Sequence, residues 1–217
     1  MANLTATFLR IANRALITLG EEPIATFDPD APSTTNQKAI AYNLQEVCDQ
    51  VLAMHPWASA STWYTFDSDD DATEPAQSLY TIAYNLPTGF IRFTTPPLIS
   101  GYVYTDDAEP PAYSVSGSLF LTYTSGWEIE YVKTQTINAA TDTIAAAWSK
   151  PLQSLITAHL AYLISPVVVG GNDMKKITAA DLEYLFREAV MADSANVAPQ
   201  QGYRGVLAGA RFQRRDA

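Results

Sequence analysis

Leu4, Phe8, Ile11, Ala12, Ala15, Leu16 and Leu19 recur three and four residues apart. That spacing draws one apolar face on a helix and predicts a first helix over about Thr5 to Leu19. Gly20 follows the last apolar position, where a left-handed closing residue is needed and glycine has no Cβ to clash. Pro23 comes three residues later and keeps the helix from resuming. A second helical face runs through Ile40, Leu44, Val47, Val51 and Met54. The cluster Ser33 to Asn36 offers its N-cap candidates. Its end is expected before Pro56, because the residue ahead of a proline avoids the helical region.

From Trp57 to about Thr136 the period changes. "STWYTF", "LYTIAYNL", "GFIRFTT", "GYVYT", "AYSVSGSLFLTY" and "WEIEYVKT" are rich in aromatic and β-branched residues and broken by turn formers. Asn85 to Gly89 reads as a turn between two strands, and Ser116-Gly117-Ser118 as a hairpin tip. Pro96-Pro97 and Pro110-Pro111 bar a regular ladder where they fall. Helical spacing returns with Leu152, Leu155, Ile156, Leu160 and Leu163, capped by Ser149 with Pro151 near the first position; Pro166 is expected to end this third helix. A fourth is predicted over Asp173 to Asp193 with Ile177, Leu182, Leu185 and Val190 among its apolar positions. The pattern predicts four helices around a β-rich middle: helical segments over 1–56 and 140–196, a β-rich region over 57–139 and an extended C-terminal tail over 197–217.

Composition sharpens this picture. In 217 residues, 47% are apolar and 17% charged, which is enough apolar material for a core and argues against global disorder. The net charge of −10 argues against a protein that reads nucleic acid, and it does not exclude one that DNA slides past, since an acidic wall keeps phosphates from sticking. The single Cys48 has no intrachain partner and reads as a small buried hydrophobe. The start of the chain lacks the pattern of a signal peptide. No apolar run approaches the roughly 20 residues of a membrane span, so a protein made in the cytoplasm with no membrane partner is expected.

Candidate chemistry is sparse. Glu21 and Glu22 are chain neighbours, which seldom converge on one substrate. "VVVGGNDMKK" lacks both phosphate-loop spacings, so Gly170-Gly171 reads as a helix-to-helix turn. Asp67, Asp69 and Asp71 alternate like calcium ligands, yet Ala72 stands where glycine is required and Ser78 where a bidentate glutamate is required. His55 and His159 lie on different helices without metal-ligand spacing, and His159 reads as a core histidine. No nucleophile elbow occurs. The expectation is no catalytic residue, no metal and no cofactor.

The tail differs from the rest. Arg204, Arg211, Arg214 and Arg215 against Asp216 give it +3, leaving −13 elsewhere in the −10 total. Gly202, Gly205 and Gly209 disfavour an isolated helix. Tyr203, Leu207 and Phe212, interleaved with those arginines, read as anchors of a docking arm that orders on a partner.

The stretch from Ala12 to Ala60, with its "LGEEPI" turn, Asn43 on an Ala-rich second helix and Trp57 beyond its end, resembles the phage tail tubular protein A family. "AYNLP", "GYVYTDDAEPP", the hairpin before "EIEYV" and "LITAHLAYLIS" continue the likeness, over roughly residues 8 to 192. These are head-to-tail adaptors of short-tailed double-stranded DNA phages. The resemblance implies an α+β fold and a homo-oligomeric ring of about a dozen copies with cyclic symmetry. It implies a place in the virion at the head–tail junction, between the portal protein and the distal, nozzle-type tail protein. Double-stranded DNA would pass through it during genome ejection without sequence-specific binding. Two other readings stand beside it: an adaptor or tail-completion protein of a long-tailed phage or phage-like particle, and a cell-wall hydrolase using two of the carboxylates.

Overall fold

The computed structural model describes residues 6–73, 78–100, 112–134, 142–169 and 179–196, with Pro75 and Ile137 besides. The fold is α+β. Helix α1 (Ala6–Leu19) buries Phe8, Ile11, Ala12, Ala15, Leu16 and Leu19, the face its spacing predicts. It closes at Gly20, whose φ of 87° is left-handed. The Gly20 N–H donates to the Ile17 carbonyl and the Glu21 N–H to the Leu16 carbonyl, the paired bonds that satisfy the last turn of a helix. Helix α2 (Thr35–Met54) is capped by Thr34, which accepts from the Gln37 N–H while the Gln37 side chain accepts from Thr34. It stops as expected at His55, which is extended ahead of Pro56.

Among the described residues eight strands follow: β1 (Ser61–Thr65), β2 (Asp71–Ala72), β3 (Ile82–Asn85), β4 (Phe90–Phe93), β5 (Leu98–Ile99), β6 (Tyr113–Ser116), β7 (Leu119–Thr122) and β8 (Trp127–Lys133). They form two antiparallel sheets. One has the order β1-β8-β4 with β5 also on β8, and the other has the order β2-β3-β7-β6. Along β8 the alternation divides the labour: Trp127, Ile129 and Tyr131 join Phe66, Tyr84 and Phe120 in an aromatic core, while Val132 joins the helical core. Phe66 stacks on Tyr84 and Phe120 at 5.0 and 5.1 Å between ring centres.

The turn at Asn85 to Gly89 carries the chain from one sheet to the other, so β3 and β4 are sequential but not paired. Gly89 has φ +80°, its carbonyl accepts from the Thr134 N–H at 2.7 Å, and a Cβ there would meet the Thr134 methyl at 2.9 Å. A bulge between Phe90 and Arg92 lets Phe90 and Phe93, three apart, share the aromatic core. The two-residue strands β2 and β5 are too short to leave a periodic signal. The predicted strand "GYVYT" and Pro110-Pro111 lie outside the described residues.

Helix α3 (Asp142–Ala147) is not predicted by the pattern; six residues are fewer than two turns, and Ala145 is fully buried on it. Helix α4 (Lys150–Val168) is the third helix of the sequence reading, capped by Ser149 with Pro151 in its first turn. Leu152, Leu155, Ile156 and Leu160 are buried as expected, but Leu163 is only half-buried. Pro166 does not end the helix, which continues to Val168 with the Val169 N–H donating to the Ser165 carbonyl. A proline this near the C-terminus removes one donor from a turn that is about to end, so the cost stays local. Helix α5 (Ala179–Asn196) carries the later part of the predicted fourth helix. Leu182, Leu185 and Val190 are half-buried, while Ala189 and Asp193 are fully buried. Ile177 and Gly170-Gly171 lie outside the described residues.

A single hydrophobic cluster joins α1, α2, α3, α4 and α5. Among the described helices, α4 is the one long and apolar enough to cross a bilayer, and half of that stretch is buried inside the protein. Its apolar length serves the bundle core.

Candidate docking surfaces

Tyr203, Arg204, Leu207, Arg211, Phe212, Arg214 and Arg215, the residues assigned to the docking tail, lie outside the described residues. The other candidates can be placed. Glu21 accepts from the Asn36 amide at 3.3 Å, and Glu22 is exposed, so the two carboxylates part company. The turn they occupy is fixed by Asn13. Its amide nitrogen donates to the Ile24 carbonyl at 2.9 Å, and its amide oxygen accepts from the Ile24 N–H at 2.8 Å. Both ends of one side chain thus hold one backbone unit, and the "LGEEPI" segment is clamped to the helix it terminates.

Of the aspartates at 67–71, Asp67 and Asp70 turn back on their own backbone, while Asp69 and Asp71 are exposed. Asp67 accepts from the Asp69 N–H at 2.8 Å, and Asp70 accepts from the Asp67 N–H at 3.0 Å and from the Tyr64 hydroxyl. That last bond, with a smaller contribution from burial, pushes the Tyr64 phenol up to about 12. These carboxylates cap a short 3-10 turn. Among the described residues no group of three or more His, Cys, Asp or Glu is arranged to hold a metal ion. Cys48 is buried, and burial with the neighbouring Asp49 charge raises its thiol pKa, which keeps it an unreactive thiol.

His159 departs from the core reading: it is half-buried, and that burial lowers its pKa. His55 stands 3.7 Å from Asp193 and edge-on to Trp57. Burial lowers its pKa, Asp193 opposes the shift, and Arg92 reinforces it. Asp193 itself is 1% exposed and accepts from the Ala58 N–H at 2.8 Å and the Ser59 N–H at 3.3 Å. One carboxylate from α5 therefore caps the turn between α2 and β1. Trp57 completes the joint: its indole N–H donates to the Val51 carbonyl at 2.8 Å, and its ring meets Phe186 of α5 edge-on. Arg92 of β4 donates to the Ala53 carbonyl at 2.9 Å, tying the first sheet to the end of α2.

Two further polar ties went unread in the sequence. Gln153, 2% exposed on α4, accepts from Arg10 of α1 and donates to the Ala145 and Trp148 carbonyls. Gln45 and Asp49 of α2 share Thr134 at the exit of β8, and Gln45 also accepts from the Ile137 N–H. The i, i+4 spacing of Gln45 and Asp49 was the available signal.

Open concavities mark the surface of the described residues. A groove of about 390 Å³ has α4 as its floor (Ser154, Thr157, Ala158) and α1 (Arg14, Ile17) and Leu185 of α5 as its walls. It continues past Ser154 and Leu185 into a second hollow beside Lys150 and Glu188. A slot lined by Phe90, Arg92, Phe93 and Tyr113 opens where the two sheets meet. Large exposed side chains stand elsewhere, Tyr42 at 81% and Trp63 at 55% among them. The described surface offers places to dock and no convergent set of acid, base and nucleophile. The chain matches no protein-family model, and comparison with curated proteins finds no match.

Proposed function

We propose that this chain is a structural virion protein, a head-to-tail adaptor rather than an enzyme. It forms a ring of about a dozen copies between portal and distal tail, closed by cyclic symmetry. The observation that carries this reading is the ordered series of segments, from "LGEEPI" to "LITAHLAYLIS", that resembles the tail tubular protein A family. The α+β architecture agrees with what that resemblance implies. The acidic balance outside the tail agrees with a channel past which phosphates slide. In the tail, Tyr203, Leu207 and Phe212 are the apolar anchors, and Arg204, Arg211, Arg214 and Arg215 pair with carboxylates on the portal or a neighbouring copy.

Negative-stain microscopy of the protein mixed with the portal of its own particle tests the reading. Rings capping the portal are expected; a stable dimer in light scattering with no ring on the portal overturns it. Deleting residues 197–217 should leave the helices folded by circular dichroism and abolish portal binding. Unchanged affinity would remove the docking role of the tail.

A further inference from the structure

Strands β1 and β8 form a shelf where they run out from the bundle. Ser61, Trp63 and Thr65 stand opposite Val132, Glu130 and Glu128, so all six side chains share one face of the sheet. Val132 lies in the helical core, which makes this the face the helices cover. One rung further out the cover ends: Trp63 is 55% exposed, Thr65 is exposed, and Glu128 and Glu130 are half-buried. Glu130 accepts from the Ser61 hydroxyl at 2.6 Å, which steadies its carboxylate beside the indole. The cations of β4 and β8 are turned elsewhere. Arg92, opposite Val132, donates to the Ala53 carbonyl, and Lys133 alternates to the opposite face. The shelf is thus an aromatic ring with two carboxylates, and exposed Asp67, Asp69 and Asp71 follow just past the end of β1. Such a surface suits a planar cation that can stack on the ring and pair with a carboxylate, as a guanidinium does.

We infer that this shelf holds the chain's own C-terminal tail until a partner takes it. Helix α5 delivers the tail to the place. Asp193 is bonded to the Ala58 and Ser59 N–H groups just ahead of β1, and Asn196, where α5 ends, is about 4.5 Å further along the helix. Residues 197–217 therefore begin at the root of the shelf. From Ala58 to Thr65 is at most about 24 Å of chain, and the eight residues 197–204 can span that much. Arg204 and the residues beyond it come within reach of Trp63, Glu128 and Glu130. The charges are complementary: the tail carries +3, against the two shelf carboxylates and the three aspartates past them. Tethering favours the chain's own shelf, because a segment on a short linker meets its site at an effective concentration in roughly the millimolar range. A free copy covers its arginine arm with its own carboxylates, and a portal or neighbouring copy must outcompete them. The inference rests on reading the tail as a docking arm and needs neither ring nor portal.

Tryptophan fluorescence of the full-length protein tests it. Trp57, Trp127 and Trp148 are at most 2% exposed, and the tail holds no tryptophan, so acrylamide quenching reads Trp63. Arg204→Gln, Arg211→Gln, Arg214→Gln and Arg215→Gln together should raise the quenching slope roughly twofold, as loss of a cation stacked on the ring would. Glu128→Gln with Glu130→Gln should do the same from the shelf side. Circular dichroism checks both variants, and where the shelf pair fails to fold the arginine variant decides. Raising salt from about 0.05 to 0.5 M should raise the slope of the unsubstituted protein and leave the arginine variant unchanged, because screening weakens the charge pairing. Trp63→Phe should remove every one of these differences; differences that survive it overturn the proposal. Equal slopes in the unsubstituted protein and the arginine variant overturn it too. So does a slope that rises on dilution, which would mean that the tail comes from another copy. An open Trp63 in a protein that still caps the portal sinks the shelf and leaves the adaptor reading standing. A shielded Trp63 in a protein that never caps the portal does the reverse.

Discussion

Asp193 shows how much one side chain can hold. It leaves water on folding, and the Ala58 and Ser59 N–H groups replace the lost hydration. Removing it strands two donors near the core. Asp193→Ala should cost about 1.5–3 kcal/mol, as hydrogen bonds to a charged group do. The measurement is urea denaturation, with amide exchange at Ala58 and Ser59 rising before exchange in α2 does. The histidines carry a pH signature. Burial lowers the His159 pKa below the 6.5 of an unfolded chain, so the unfolded state binds more protons in that window. Stability is then flat above 6.5 and is lost as pH falls through the folded-state value. His55, lowered by the same cause, adds in the same direction. His159→Gln should shrink the drop in urea midpoint between neutral and roughly pH 5.5, a range where histidine dominates the titration. An unchanged drop would place the proton uptake elsewhere.

Helices α2 and α4 are the framework on which the rest is mounted. Val47 and Val51 of α2 and Leu155 and Leu160 of α4 are all buried in the same cluster. Leu160 is 0% exposed, so Leu160→Ala should cost about 2–5 kcal/mol by lost burial plus the cavity left behind. A neutral result in chemical denaturation would remove α4 from the core. The sheets depend on this pair through small polar ties, Arg92 to Ala53 and Thr134 to Asp49 and Gln45. Helix α5 is joined to the α2–β1 turn by Asp193 and by Phe186 against Trp57. Its apolar positions are mostly half-buried, so this helix should show the earliest amide exchange of the three long bundle helices α2, α4 and α5.

Taken as one body, the protein is acidic. Duplex DNA should not be retained in a gel shift at physiological salt, because binding by counterion release needs cationic contacts that a net charge of −10 does not supply. Tight, salt-insensitive binding would contradict a passive channel. Local order along the chain was written plainly. The faces of α1, of α2 apart from exposed Met54 and of α4 apart from half-buried Leu163, the stop at Gly20, the cap near Thr34, the end before Pro56 and the Gly117 hairpin all follow from neighbours within a few residues, where helical and strand periods and turn stereochemistry act. The assignment of strands to sheets was not, because pairing energy depends on partners far apart in sequence, and the turn at Gly89 looks the same whether it joins one sheet or two. Asp193 on Ala58 and Gln153 between three helices arise only once distant segments pack. A single residue's burial is set by whatever the fold brings against it, and no local pattern encodes that.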